Sequence, residues 1–135
     1  MRAILADNNI QGHVRALSLI LEGEDWRKVW ASLGLPVCYF RDLGLAPTIT
    51  DAVLWQTCQR QQIVLLTANR NAVGPDSLEV TLRTQNQPDS LPVLTHADPD
   101  RVIHSRTCAE RVVERLLECL IDMDNYRGTG RVYLP

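Results

Sequence analysis

The chain has 135 residues, 45% of them hydrophobic and 22% charged, with a formal net charge of −2. That length supports one domain with a real core and is too short for two, and the composition excludes gross disorder. The charge argues against a general polyanion binder, which would be strongly basic.

Ala3-Ile4-Leu5-Ala6 is a continuous apolar run, as expected of a buried parallel strand, and it stops at Asp7-Asn8-Asn9. Ile10, Val14, Leu17 and Leu21 then recur at helical spacing, and Trp26, Val29, Trp30 and Leu33 resume the stripe after Gly23. Residues 10–34 read as two helices, or as one broken at Gly23, ended by Gly34 and Pro36. Val37-Cys38-Tyr39-Phe40 reads as the second strand and Arg41–Pro47 as a loop. Thr48 or Thr50 can cap the next helix, with Asp51 in its first turn. Ile63–Leu66 is the third strand, and it too ends in small polar residues, Asn69-Arg70-Asn71.

Gly74-Pro75 marks a turn, and Asp76 with Glu79 fits an acidic capping box for a helix carrying Leu78 and Leu82. Residues 84–92 are a loop and Leu91–Thr95 a short strand. Asp98-Pro99 reads as a cap and a first helical proline. The helical stripe Ala109, Val112, Val113, Leu116, Leu117, Leu120 and Ile121 follows, opposite a charged face. The tail from Arg127 to Pro135 suggests a turn and a last short strand. Strands alternating with helices throughout predict a single α/β domain over residues 1–135, a mainly parallel sheet flanked by helices.

Cys38, Cys58, Cys108 and Cys119 form no CxxC pair, and each sits in an apolar segment where a thiol packs as a small hydrophobe. Lys28 is the only lysine; the other thirteen basic residues are arginines, suited to phosphate or carboxylate pairing. No apolar run approaches the ~20 residues that span a bilayer. Met1-Arg2 leads into a run too short for the apolar part of a signal peptide. The expectation is a cytoplasmic protein without membrane association.

Ligand-binding groups of open α/β sheets gather beyond the carboxyl ends of the strands. Asp7 is therefore a candidate cation ligand and also a natural cap for the turn that follows. Asp51, at a helix start, is a second candidate acid, and Asp42 in the intervening loop a third. Asn69 and Asn71 could offer amide oxygens or simply stabilise a turn. Arg70 between them could meet a phosphate. His13, His96 and His104 have no metal-ligand spacing such as HExxH. A receiver-domain reading wants an Asp after the third strand and a Lys near the last one, where this chain has Asn69 and no lysine.

Three segments together resemble a known family: Ile4-Leu5-Ala6-Asp7-Asn8-Asn9, then Arg41-Asp42-Leu43-Gly44-Leu45 leading to Asp51, then Ile63–Thr67 followed by Ala68-Asn69-Arg70-Asn71. In order and spacing, residues 3–71 are similar to the PIN-like proteins of the DUF5615 type. The resemblance implies a PIN-like fold with acidic residues clustered at the carboxyl edge of the sheet. It further implies an Mg²⁺- or Mn²⁺-dependent ribonuclease, in many members a toxin paired with an antitoxin. By position, Asp7 matches the first metal-site acid, Asp51 the acid at the helix start and Asp42 the loop acid. Asn8 stands where the family usually has Glu, and Asn69 and Asn71 where it usually has Asp. The resemblance thus makes Asp7, Asp51, Asn69 and Asn71 the catalytic set, Asp7 and Asp51 the metal ligands, and Asn8 and Asp42 supporting groups. The alternative is a catalytically inactive PIN-like module that binds RNA or a protein partner, which could include a second copy of the chain.

Overall fold

A computed structural model describes residues 1–135. Five strands form one parallel sheet: β1 (Ala3–Ala6), β2 (Val37–Cys38), β3 (Ile63–Thr67), β4 (Val93–His96) and β5 (Arg131–Leu134). Their order across the sheet is β2-β1-β3-β4-β5, with every neighbouring pair parallel. The chain builds outward from β1 in one direction to β2 and in the other to β3. The crevice between β1 and β3 is therefore the topological switch point, where ligands of doubly wound sheets bind.

Seven α-helices cover the sheet: α1 (Gln11–Leu21), α2 (Arg27–Leu33), α3 (Asp51–Gln61), α4 (Leu78–Gln85), α5 (Asp100–His104), α6 (Arg106–Ile121) and α7 (Met123–Tyr126). None is long and apolar enough to cross a membrane. Side chains alternate between the two faces of a strand, and the core divides accordingly. Ile4, Ala6, Val64, Leu66, Leu94, Val132 and Leu134 pack under α1, α5, α6 and α7, with Trp26, Trp30 and Leu33 of the α2 segment at the rim. Ala3, Leu5, Ile63, Leu65 and Val93 pack under α3 and α4 through Leu54, Trp55, Cys58, Leu78 and Leu82. β1 and β3 are buried on both faces, which explains why they read as unbroken apolar runs.

Local chemistry departs from the sequence pattern in four places. β2 ends at Cys38, because Phe40–Leu43 winds into a 3-10 turn fixed by Asp42, whose carboxylate accepts the Tyr39 N–H at 2.7 Å. The cap of α4 is Ser77 and not Asp76: its Oγ accepts the Val80 N–H. The expected helix after Asp98-Pro99 is interrupted at Ser105, which adopts an extended conformation and caps α6 through the Cys108 N–H. Ile121, the last residue of the apolar stripe, is exposed. Of the four free cysteines, Cys58 and Cys119 are buried, whereas Cys38 and Cys108 are only half-buried.

Candidate site at the carboxyl edge

Asp7 follows the last residue of β1, and Thr67 closes β3. Ala6 pairs with Leu66 in register, so the next residues, Asp7 and Thr67, fall on one row. The Thr67 hydroxyl donates to Asp7 Oδ2 at 2.6 Å, and the Asn8 N–H donates to Asp7 Oδ1 at 2.7 Å. Asp7 therefore caps the 3-10 turn Asn8–Ile10, as expected of it, and also faces the crevice. Burial pushes its pKa up, the two hydrogen bonds pull it down, and the nearby Asp51 charge pushes it up again.

Asp51 arrives from the other direction. Thr50 caps α3 by accepting the Val53 N–H, which fixes Asp51 in the first turn. Its Oδ2 also accepts the Leu78 N–H of α4 at 3.2 Å. One carboxylate thus ties together the N-terminal ends of two helices.

After β3 the chain turns through two successive side-chain loops. Asn69 Oδ1 accepts the Asn71 N–H at 2.8 Å, and Asn71 Oδ1 accepts the Val73 N–H at 3.1 Å. Both amides stabilise the turn in the way short polar side chains commonly do. They also stand in the site: Asp7, Asn9, Asp51, Ala68, Asn69 and Asn71 line one cleft of about 400 Å³. Asp51 and Asn71 are shared with a second hollow that continues past Ile49, Val73 and Ser77.

The structure thus brings together Asp7, Asp51, Asn69 and Asn71. It does not bring Asn8 or Asp42 into that cleft. Asn8 Oδ1 accepts from Gln11 and Asp42 closes its own turn, so each supports local backbone. Arg70 is exposed next to the cleft-lining asparagines. Asn9, which was not among the expected site residues, lines the cleft; its place two residues after Asp7 was the available signal.

The charged donor set is small. No group of three His, Cys, Asp or Glu side chains stands close enough to share a metal ion. Two carboxylates are nevertheless enough for Mg²⁺, which keeps several waters and binds through one or two carboxylates together with substrate phosphate. The mutual repulsion of Asp7 and Asp51 is the imbalance that a cation would relieve. Neutral amides in place of further carboxylates leave such a site weak.

One neighbouring polar group belongs to the other face of the sheet. His96, at the end of β4, is fully buried with neither ring nitrogen hydrogen-bonded. Burial and the adjacent His13 lower its pKa to about 4. His13 itself contacts Asp100 at 3.2 Å through Nε2.

No family model, no curated protein and no solved structure matches the chain.

Proposed function

We propose that the protein is a PIN-like metal-dependent ribonuclease whose acidic site is reduced to two carboxylates. The observation that carries this reading is the convergence of Asp7 and Asp51, from separate elements, on one cleft at the switch point of the sheet. Paired acids there cost stability when nothing neutralises them, and clefts that maintain such pairs are functional-site candidates. The residue order of the PIN-like resemblance supplies the reaction class.

Asp7 and Asp51 would hold an Mg²⁺ or Mn²⁺ ion, with water and the substrate phosphate completing its shell. Such an ion polarises a phosphodiester and lowers the pKa of bound water. The protein's own contribution is orientation. Thr67 and the Asn8 N–H each donate to one oxygen of Asp7, which fixes the carboxylate plane and favours the charged form. The Leu78 N–H holds the Asp51 carboxylate in place. Arg70, exposed beside Asn69, is available to a neighbouring phosphate of a single-stranded RNA.

A second reading has its own support. Both asparagine side-chain oxygens are engaged in the turn, so the cleft offers little to a cation beyond its two acids. On that reading the protein is a catalytically inactive module that binds RNA or a protein partner. Incubating pure protein with single-stranded RNA and Mn²⁺ separates the two. The ribonuclease reading expects slow, divalent-dependent cleavage that Asp7→Ala abolishes. Cleavage that survives Asp7→Ala, or none at any Mn²⁺ concentration, contradicts it.

A further inference from the structure

Arg131 opens β5, separated from the strand before Asp7 by β3 and β4, and nothing in the local sequence marks it. Val132 and Leu134 face the α6 side of the sheet, so Arg131 lies on the opposite face, with α4 and the acidic cleft. Its side chain is only 8% exposed. One guanidinium nitrogen donates both to the Asn69 carbonyl oxygen at 2.8 Å and to Thr95 Oγ1 at 2.6 Å. The other donates to the Glu79 carboxylate in the first turn of α4.

These contacts hold both sides of one peptide segment. The Asn69 N–H donates to Thr67 Oγ1 at 3.0 Å, and that same hydroxyl donates to Asp7. The Asn69 carbonyl is held by Arg131. The next turn is tied as well, because the Glu79 N–H donates to the Asn71 carbonyl oxygen. A continuous chain therefore runs from Glu79 through Arg131, the Asn69 backbone and Thr67 to Asp7. The arginine end of the Arg131–Glu79 pair is nearly buried while Glu79 is partly exposed, and a partly desolvated pair of this kind can fix one arrangement among several.

We propose that Arg131 is the positioning residue of the cleft. It fixes the backbone of Asn69, and with it the two amides and the Thr67–Asp7 hydrogen bond. The proposal rests on the cleft being the functional site. A guanidinium is suited to it because its planar fork can meet a carbonyl, a hydroxyl and a carboxylate at once. A lysine ammonium reaching Glu79 would leave the Asn69 carbonyl and Thr95 without that shared donor.

Arg131→Lys and Glu79→Gln in the full chain test this, read by amide hydrogen exchange and by Mn²⁺ titration. In Arg131→Lys, exchange at the Asn69 N–H should rise about tenfold, the equivalent of one hydrogen bond, and Mn²⁺ affinity should fall several-fold. Exchange at Leu65 and Leu94 in the sheet should stay unchanged. Glu79→Gln keeps an oxygen acceptor and should show the same pattern at smaller size. Unchanged exchange at Asn69 in folded Arg131→Lys would overturn the proposal, as would a uniform rise that includes the sheet amides. If the wild type binds no Mn²⁺, the metal reading falls, and the exchange comparison alone still decides whether Arg131 places Asn69.

Discussion

Asp7 and Thr67 stand side by side at the ends of β1 and β3, joined by a 2.6 Å hydrogen bond in which the hydroxyl donates. Thr67 Oγ1 is also the acceptor for the Asn69 N–H, so its own proton is directed at Asp7. The pair couples the acid of the cleft to the start of the asparagine turn. Thr67→Val should raise the Asp7 pKa further, because a force that lowers it disappears. Hydrogen bonds to charged groups contribute about 1.5–3 kcal/mol, and a loss of that order is expected in denaturant unfolding at pH 7. Carbon-detected NMR titration of Asp7 checks the first effect. Thr67→Ser should leave both quantities near the wild-type values.

Asp51 acts on Asp7 through charge alone. Asp51→Asn removes a like charge and should lower the Asp7 pKa, by less than the Thr67 substitution raises it, because this repulsion is the smallest of the four influences. The same titration reads it. An Asp7 pKa that rises in Asp51→Asn contradicts the described geometry.

His96 gives the fold a pH dependence unrelated to the cleft. Its pKa of about 4 lies below the ordinary 6.5. Between these values the unfolded chain binds a proton that the folded chain excludes, so stability falls as pH drops from about 6.5 to about 4. The full effect is about 3 kcal/mol, at roughly 1.4 kcal/mol per pH unit. Asp7 works in the opposite sense: its raised pKa contributes stability below the ordinary 3.8, lost as pH rises through the folded value. Comparing wild type with His96→Phe cancels the Asp7 contribution. The difference in unfolding free energy between the two should vary across pH 6.5 to 4 and be flat above pH 7. A pH-independent difference contradicts the buried, unpaired state of His96.

Ser105 separates α5 from α6 and caps the longer helix. Ser105→Ala should cost about 1 kcal/mol of stability, whereas Asp98→Ala, at the position the sequence suggests as a cap, should cost less. Chemical denaturation of the two variants decides the order.

The sheet was legible because β1 and β3 are nearly continuous apolar runs buried on both faces, and α6 because its apolar stripe holds its period from Ala109 to Leu120. The edge strand β2 was overestimated, since Tyr39 and Phe40 favour a strand by type while Asp42 closes a turn around them. Asp76 and Ser77 are both good cap types, and the structure uses the second. In the site, Asp7 and Asp51 could be named because each stands at an element boundary, and Asn69 and Asn71 because they follow β3 within four residues. Arg131 could not: its partners Asn69, Thr95 and Glu79 lie 36 to 62 residues away in sequence. His96 was passed over because a histidine ending a short strand has no local sign of complete burial.

Calorimetric Mn²⁺ titration at neutral pH decides whether Asp7 and Asp51 form the proposed cation site. One weak, saturable site per chain is expected, lost in both Asp7→Ala and Asp51→Ala and weakened as the pH is lowered toward protonation of Asp7. No saturable binding to the wild type, or binding that persists in Asp7→Ala, would contradict it.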